Sequence, residues 1–339
     1  MNVAVVILNW NGRKFLEQFL PGVIQHSQGV AEVIVADNAS TDDSVAFLRT
    51  NFPKVRLILN SKNGGFATGY NEALRQVEAD YYILLNSDIE VTEHWISPII
   101  DLMERDTTIG ACQPKIRSWH ERTKFEYAGA AGGFIDKYGY PFCRGRIFFE
   151  LEEDRGQYDD VCEVFWATGA AMFVRAKLYH EMGGLDDDFF AHMEEIDFCW
   201  RIKAAGHKVM YCPQSVIYHI GGGTLPKGNA RKTFLNFRNN FTLLYKNLPQ
   251  GKIFPVFFVR LMLDSVAGMK FLFSGGFRDM WAVVRAHFAF YRSLPANRKK
   301  RKAIQQKDVN CIYQGNLVWD HYIGGIKAFS ELHYPSSSD

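Results

Sequence analysis

The chain has no long uncharged apolar run. Its best candidate, 253–273, is interrupted by Arg260, Asp264 and Lys270, so no helix is expected to cross a bilayer, which needs about 20 consecutive apolar residues. The first eight residues are apolar but lack a basic lead and a small-residue cleavage site, and no signal peptide is expected. Cysteine is sparse: six in 339 residues, at positions 112, 143, 162, 199, 212 and 311, with no C-x-x-C pair. That spacing argues against a zinc site or a disulfide framework and for buried, reduced thiols of a cytoplasmic protein. Charge of one sign is also missing overall. Lys and Arg number 39 against 37 Asp and Glu, a net +2, which gives no case for a nucleic-acid partner. Apolar side chains are not scarce: 47% apolar against 22% charged excludes a disordered chain. The length suits two domains, or one large domain with an appendage.

What is present is alternation. Apolar strand patterns at 3–8, 33–36, 55–59, 81–85 and 109–113 alternate with helical patterns at 14–27, 66–77 and 92–105, with Pro21 expected to kink or break the first helix. Ser40-Thr41-Asp42-Asp43 reads as a helix start. This order predicts an α/β fold with a mostly parallel, doubly wound central sheet and helices on both faces. Residues 117–160 read as long loops and short hairpins, 164–175 as strand or turn, 176–182 and 194–205 as helices. Short strands are expected at 208–212 and 215–218, before His219 and Gly221-Gly222-Gly223. Ligands of such sheets bind beyond the carboxyl ends of the strands. Leu8-Asn9, Asp37-Asn38 and Asn86-Ser87-Asp88 lie at such ends.

Several residues there suit chemistry, each with a plainer alternative. Asp37 can accept from a nucleobase N–H or a ribose hydroxyl, or can simply cap the next helix. Asp88 can hold Mg²⁺ or Mn²⁺ on a diphosphate, because these ions take oxygen ligands and need few from protein; it also suits a turn. Glu194, Glu195 and Asp197 open a helix, where the dipole favours acids. Mutual repulsion there also raises carboxyl pKa values toward those of a general base. His219 at a strand end can be a metal ligand or a structural histidine. Gly64-Gly65 can lie against a phosphate or sugar, and the triple glycine can form a lid or a plain turn.

The order of these segments carries more than any one of them. Val5-Val6-Ile7-Leu8-Asn9-Trp10-Asn11-Gly12, Val35-Ala36-Asp37-Asn38-Ala39-Ser40-Thr41-Asp42, Asn63-Gly64-Gly65-Phe66-Ala67-Thr68-Gly69-Tyr70-Asn71 and Leu84-Leu85-Asn86-Ser87-Asp88 come first. Phe165-Trp166-Ala167-Thr168-Gly169-Ala170, Gly183-Gly184-Leu185-Asp186, Glu194-Glu195-Ile196-Asp197-Phe198-Cys199-Trp200-Arg201 and Tyr218-His219-Ile220-Gly221-Gly222 follow. Over about 1–245 the chain resembles glycosyltransferase family 2, inverting nucleotide-sugar transferases of the GT-A fold, and within it the rhamnosyltransferase-like branch. The resemblance implies that Asp37 holds the nucleobase beside Leu8, Asn9 and Trp10. It assigns Asn38, Gly64, Gly65, Asn86 and Ser87 to the donor site, with Trp166, Thr168 and Gly169 lining the sugar pocket. Asp88 matches the metal acid of the D-x-D motif, and His219 a histidine that completes the metal site in some members. Glu195 matches the catalytic base, with Glu194 second and Asp197 third. Two departures stand out: Asn86 replaces the first D-x-D acid, and Glu194-Glu195 replaces a Glu-Asp pair. Arg144 and Arg146 are expected either to assist with phosphates or to be solvated loop charges.

The near-neutral total hides an asymmetry. Residues 227–307 carry 17 Lys and Arg against two acids, +15, which leaves −13 for the rest. Interleaved Phe, Trp and Tyr make this segment an expected membrane-surface region, with Arg298-Lys299-Lys300-Arg301-Lys302 as a polybasic anchor. A helical subdomain with a solvated basic face is the alternative; no nucleic-acid module is recognised. Arg238-Asn239 is expected to meet a lipid diphosphate. The expected organisation is a GT-A catalytic domain at 1–225, with a nucleotide-sugar half at 1–115 and an acceptor half at 116–225. A helical, basic, aromatic-rich extension follows at 226–339. The expected function is inverting, metal-assisted transfer from dTDP-rhamnose or a UDP-hexose to a lipid-linked surface glycan at the inner face of the cytoplasmic membrane. A non-catalytic nucleotide-sugar or glycan binding protein on the same scaffold is the alternative, and a nucleotidyltransferase a third reading.

Overall fold

The computed structural model describes residues 1–221 and 229–334. Its first half runs β1 (Val3–Asn9), α1 (Arg13–Ser27), β2 (Glu32–Asp37), α2 (Ser44–Asn51), β3 (Arg56–Leu59), α3 (Gly65–Leu74), β4 (Tyr81–Asn86), β5 (Ile89–Val91), α4 (Ser97–Arg105) and β6 (Ile109–Ser118). Then come β7 (Gly133–Asp136), β8 (Pro141–Cys143), β9 (Arg146–Ile147), β10 (Glu150–Leu151), β11 (Cys162–Glu163), β12 (Ala171–Arg175), α5 (Ala176–Glu181), α6 (Glu194–Ala204) and β13 (Lys208–His219). The last part holds α7 (Ala230–Asn247), α8 (Gln250–Phe273), α9 (Phe277–Ala303), β14 (Ile312–Tyr313) and α10 (Leu317–Tyr322).

The central sheet has the order β11-β13-β6-β12-β4-β1-β2-β3, with β5 against β13. β1 to β4 are parallel, as are β6 and β13, whereas β12 runs antiparallel between β4 and β6. Alternate β1 residues serve two cores: Ala4 and Val6 face one, Val3, Val5 and Ile7 the other. A strand covered on both faces needs a continuous apolar run, which is why β1 shows no polar alternation. Helix α1 runs through Pro21 rather than ending there.

Several boundaries differ from the sequence expectations for identifiable reasons. Helix α2 begins at Ser44, not at Ser40, because Ser40 and Thr41 are tied to the β1 turn: Asn11 N–H donates to Ser40 Oγ at 2.9 Å and Thr41 N–H to Asn11 Oδ1 at 2.7 Å. Helix α4 begins at Ser97, not at 92, since Thr92 Oγ1 donates to the Val216 carbonyl at 2.8 Å just after β5. The two strands expected at 208–212 and 215–218 are one strand, β13, with a register break between Cys212 and Val216. Pro213, which cannot donate to a ladder, falls in that break.

The stretch expected to be loops and short hairpins forms most of a second sheet, ordered β10-β9-β8-β7-β14. Its last strand arrives from the far end of the chain, and β14 pairs parallel with β7. The segment beyond the long helices therefore returns to the body that carries the site. Helix α7 packs on α6 and α9, and α8 on α9. Among the described residues the cysteines are all free, and no helix is long and apolar enough to cross a membrane.

Candidate active site

The carboxyl ends of β1, β2 and β4 meet at one edge. In-register pairing sets Asn9 beside Asp37 and Leu8 beside Asn86. Asp37 is buried; its Oδ1 accepts from Asn9 Nδ2 at 3.0 Å and its Oδ2 from the Ser40 N–H at 2.9 Å. Asn38 is locked as well, donating to Gly65 O at 3.0 Å and accepting from Asn60 Nδ2 at 3.1 Å. These contacts hold both turns rigidly, and Trp10 projects from the first with 43% of its surface exposed. Gly65 has φ +85°, and a Cβ there would strike Phe190 O, which accepts from Phe66 N–H at 2.7 Å. Gly65 thus faces a protein loop, and Gly64 the Thr68 side chain of its own helix.

The turn from β4 to β5 carries Asn86, Ser87 and Asp88. Strand β13 places His219 opposite Ile89, one residue beyond Asp88. His219 Nε2 lies 3.1 Å from Asp88 Oδ1, and Nδ1 lies 3.0 Å from Glu126 Oε2. All three are buried. Burial alone would lower the His219 pKa, but Glu126 and Asp88 more than offset it and raise it to about 10. Burial likewise opposes the Asp88 charge, and His219 reverses that, holding the carboxyl below its ordinary range. Glu126 was not expected from the sequence. An isolated acid among aromatic residues, in a stretch without periodicity, carries no signal; Glu126 N–H donates to the Ile116 carbonyl of β6 at 3.0 Å, and the pairing of β6 with β13 brings it to His219. Among the described residues no three His, Cys, Asp or Glu side chains are placed to hold a metal ion together. Asp88, and His219 once it has lost its proton, offer two donors, which fits an ion that takes its remaining ligands from phosphate and water. The second and third glycines of the expected lid, Gly222 and Gly223, lie outside the described residues.

Glu194 and Glu195 open α6. Glu194 is buried; burial, then the neighbouring Glu195, pushes its carboxyl well above the ordinary value. Glu195 is only partly covered, and burial raises it to about 7. Gly169 lies beside it, 3.8 Å from the Glu195 Cβ to a Cβ built on the glycine. Neither Glu194 Oε2 nor Glu195 Oε2 has a hydrogen-bond partner, so a proton acceptor is left free.

The loop before these acids is conformationally expensive. Phe190, His192 and Met193 have φ of 65°, 70° and 73°, left-handed values that cost a non-glycine residue about 1–3 kcal/mol each. Its neighbours hold it in place. Asn239 Nδ2 lies 3.0, 2.9 and 2.8 Å from the carbonyls of Phe189, Ala191 and His192, two amide hydrogens serving three acceptors. Arg238 Nη2 donates to Asp188 O at 2.8 Å and Phe189 O at 3.1 Å. Lys246 and Lys300 both pair with Asp186. Thr68 and Asn71 donate to Asp187 at 3.1 and 2.7 Å.

Five expectations are corrected here. Asp197 is fully buried, pairs with Arg201 and Lys246 at 2.9 Å each, and accepts from Asn247 Nδ2 at 2.9 Å. Despite burial, the two cations keep it ionised below the ordinary range, so it ties α6 to α7 and is no base. Trp166 is buried with its ring against Gly133 and its Nε1–H donating to Phe134 O at 2.9 Å; it is core and lines no sugar pocket. Arg144 pairs with Asp160 and lies over Tyr158, while Arg146 is buried, donating to Phe148 O at 3.1 Å and lying over Tyr127. Neither is a phosphate arm. Arg238 Nη2 and Asn239 Nδ2 donate to the 188–192 carbonyls, and Arg238 Nε to Asn239 Oδ1 at 2.8 Å, so the pair expected at a lipid diphosphate braces this loop. Thr168 is also inside, its N–H on Gln113 Oε1 at 3.0 Å and its Oγ1 accepting from Ala170 N–H at 3.2 Å.

The stretch that forms the sheet edge, with the Asp37 turn and Asp88, matches a known family across half the chain: the family model described as Glycosyl transferase family 2 covers residues 4–175. The chain belongs to glycosyl transferase family 2. It is a glycosyltransferase similar to rhamnosyltransferases. The N-acetylglucosaminyl-diphospho-decaprenol L-rhamnosyltransferase of Mycobacterium tuberculosis is 25% identical over 232 residues, 64% of this chain and 75% of that protein. The low-salt glycan biosynthesis hexosyltransferase Agl10 of Haloferax volcanii is 22% identical over 292 residues, 85% of each. Among solved structures, GalNAc-T7 with UDP, GalNAc and Mn²⁺ superposes with a TM-score of 0.58 at 16% identity, covering 73% of this chain and 48% of that one. That likeness establishes the GT-A fold of this family 2 enzyme.

Proposed function

We propose that the protein is an inverting sugar transferase in which Glu195 takes the proton from an acceptor hydroxyl. The observation that carries this reading is the Glu195 carboxyl itself, raised to about 7 by burial, with a free oxygen at the head of α6. A base poised near neutrality is the requirement for that proton transfer. The deprotonated hydroxyl attacks the anomeric carbon from the side opposite the leaving diphosphate. Configuration inverts in one displacement, and one carboxylate suffices.

Asp37 and the Trp10 turn receive the nucleotide, with Asn38, Asn86 and Ser87 along the same edge. Asp88 and His219 would hold a divalent cation, Mg²⁺ or Mn²⁺; the Mn²⁺ present with UDP in the structurally similar GalNAc-T7 supports this. When bound, the cation neutralises charge on the departing nucleoside diphosphate. His219 must give up its proton to do so, and Glu126 is positioned to orient the ring through Nδ1. The donor proposed first is dTDP-rhamnose, after the mycobacterial relative, and a UDP-hexose second. That relative's name also supports a lipid-linked glycan acceptor, met at the anionic inner face of the cytoplasmic membrane.

A panel of nucleotide sugars, assayed for hydrolysis and transfer with added Mn²⁺ or Mg²⁺, tests the reading. One donor is expected to be consumed, with transfer in Glu195→Gln reduced about 10²–10⁴-fold while the nucleotide still binds. Near-normal transfer by that variant would remove Glu195 from the role.

A further inference from the structure

Helix α8 is built inside out. Its face toward the rest of the protein carries Val256, Arg260, Asp264 and Gly268, at steps of four. Arg260 and Asp264 are buried and paired at 3.1 Å, and Asp264 also meets His287 at 3.3 Å and Tyr140 Oη at 3.2 Å. The outward face carries Phe254, Phe258, Met262, Val266, Met269 and Phe273, each more than half exposed. Their steps of four, four, four, three and four trace one stripe of a 3.6-residue helix. Phe254 is 80% exposed and Phe273 87%. A surface helix in water shows the reverse arrangement, and a continuous exposed apolar surface of this kind marks an interaction site. The stripe runs on past the hairpin tip into Phe277 and Trp281 of α9, both more than half exposed.

Charge decides what covers it. The two acids of α8 and α9 are turned away from the outer surface: Asp264 is in the buried pair, and Asp279 accepts from Thr233 Oγ1 at 2.6 Å. Around the stripe stand Lys270, Arg278, Arg285 and Arg292, all exposed. A second copy of this chain on the same face would bring cation against cation with no acid to meet them. A sheet of anionic headgroups over acyl chains satisfies both features, with rings in the apolar boundary and cations among phosphates.

We propose that the α8–α9 hairpin seats the enzyme on an anionic lipid bilayer. Helix α8 lies in the plane of the interface, and Phe273 and Phe277 at the tip are its deepest point. This relocates the contact from the polybasic run. There Arg301 is buried, donating to the carbonyls of Tyr245 at 2.6 Å and Lys246 at 3.2 Å, and Lys300 is spent on Asp186 and Asp188. The purpose of the seat rests on the lipid-linked acceptor proposed above. Binding itself needs neither donor nor acceptor.

Full-length protein is co-sedimented with phosphatidylcholine vesicles, with and without phosphatidylglycerol. Binding is expected only with the anionic lipid, and Phe273→Ser/Phe277→Ser is expected to weaken it at least tenfold while circular dichroism stays unchanged. Brominated lipid is expected to quench wild-type fluorescence, less so in Trp281→Phe. Unchanged partition of a folded Phe273→Ser/Phe277→Ser variant would overturn the proposal. So would loss of binding on replacing only Arg298, Lys299 and Lys302 with Ser, or a lipid-free dimer that the Phe variant breaks without any vesicle binding. Donor hydrolysis by the Phe variant is expected to match wild type, so a failed seat leaves the transferase reading standing.

Discussion

Glu194 and Glu195 sit side by side and differ in how much water reaches them, and the difference has a pH signature. The folded state raises the Glu195 carboxyl from 4.5 to about 7. Between those values the folded protein keeps a proton that the unfolded chain has released, so stability falls as pH climbs through that window and levels off above it. Transfer runs the other way, rising as the base ionises near pH 7. Glu195→Gln is therefore expected to abolish the activity limb and to flatten part of the stability slope, read by chemical denaturation at pH 5 and 8. Asp88→Ala is expected to cost about a hundredfold in metal-stimulated turnover, and Glu126→Gln less, with a raised metal requirement measured by titration of Mn²⁺. The sequence made the placement of Glu195, Asp88 and His219 legible, because each lies at a strand end or a helix start; the roles given to them are proposals. It misplaced Trp166 and Asp197 because motif spacing says which residues are near a site, not which way a side chain turns. Trp166 faces Gly133, and Asp197 faces two cations from α6 and α7.

At the scale of elements, α7 braces the 186–193 segment, in which Phe190, His192 and Met193 are left-handed. Asn239→Ala removes the amide shared by three carbonyls. It is expected to lower stability by about 1–3 kcal/mol and kcat by up to about a hundredfold, with donor KM unchanged. A shift in the pH midpoint of turnover separates loss of Glu195 positioning from simple loosening. The main strands and helices of the first 115 residues were legible from periodicity, since strands buried on two faces and amphipathic helices leave distinct patterns. The shortest strands were not placed one by one, although short hairpins were expected across 117–160 and β7 to β10 form them. β5 and β7 to β10 have two to four residues each, too few to show a period. They exist because long-range partners satisfy their backbone groups.

The whole molecule divides its charge by function. The part that carries the candidate site is acidic in sum, and the cations collect on long helices whose outer face is apolar. That division was legible from composition, but the fastening of the helices was not. Leu317 is buried with its N–H on Asp136 Oδ2 at 3.0 Å, and Phe329 stacks near Phe134 and Phe142. A chain cut after residue 308 is expected to lose about 5 kcal/mol or more from these apolar contacts, measurable as a large drop in Tm, and to leave the Asp136 carboxylate short of a donor. The pairing of β14 with β7 means that the helices proposed to face the membrane are not a tail at all. They are a cassette fastened at both ends, and a stop codon meant to shed them would unpick the second sheet first.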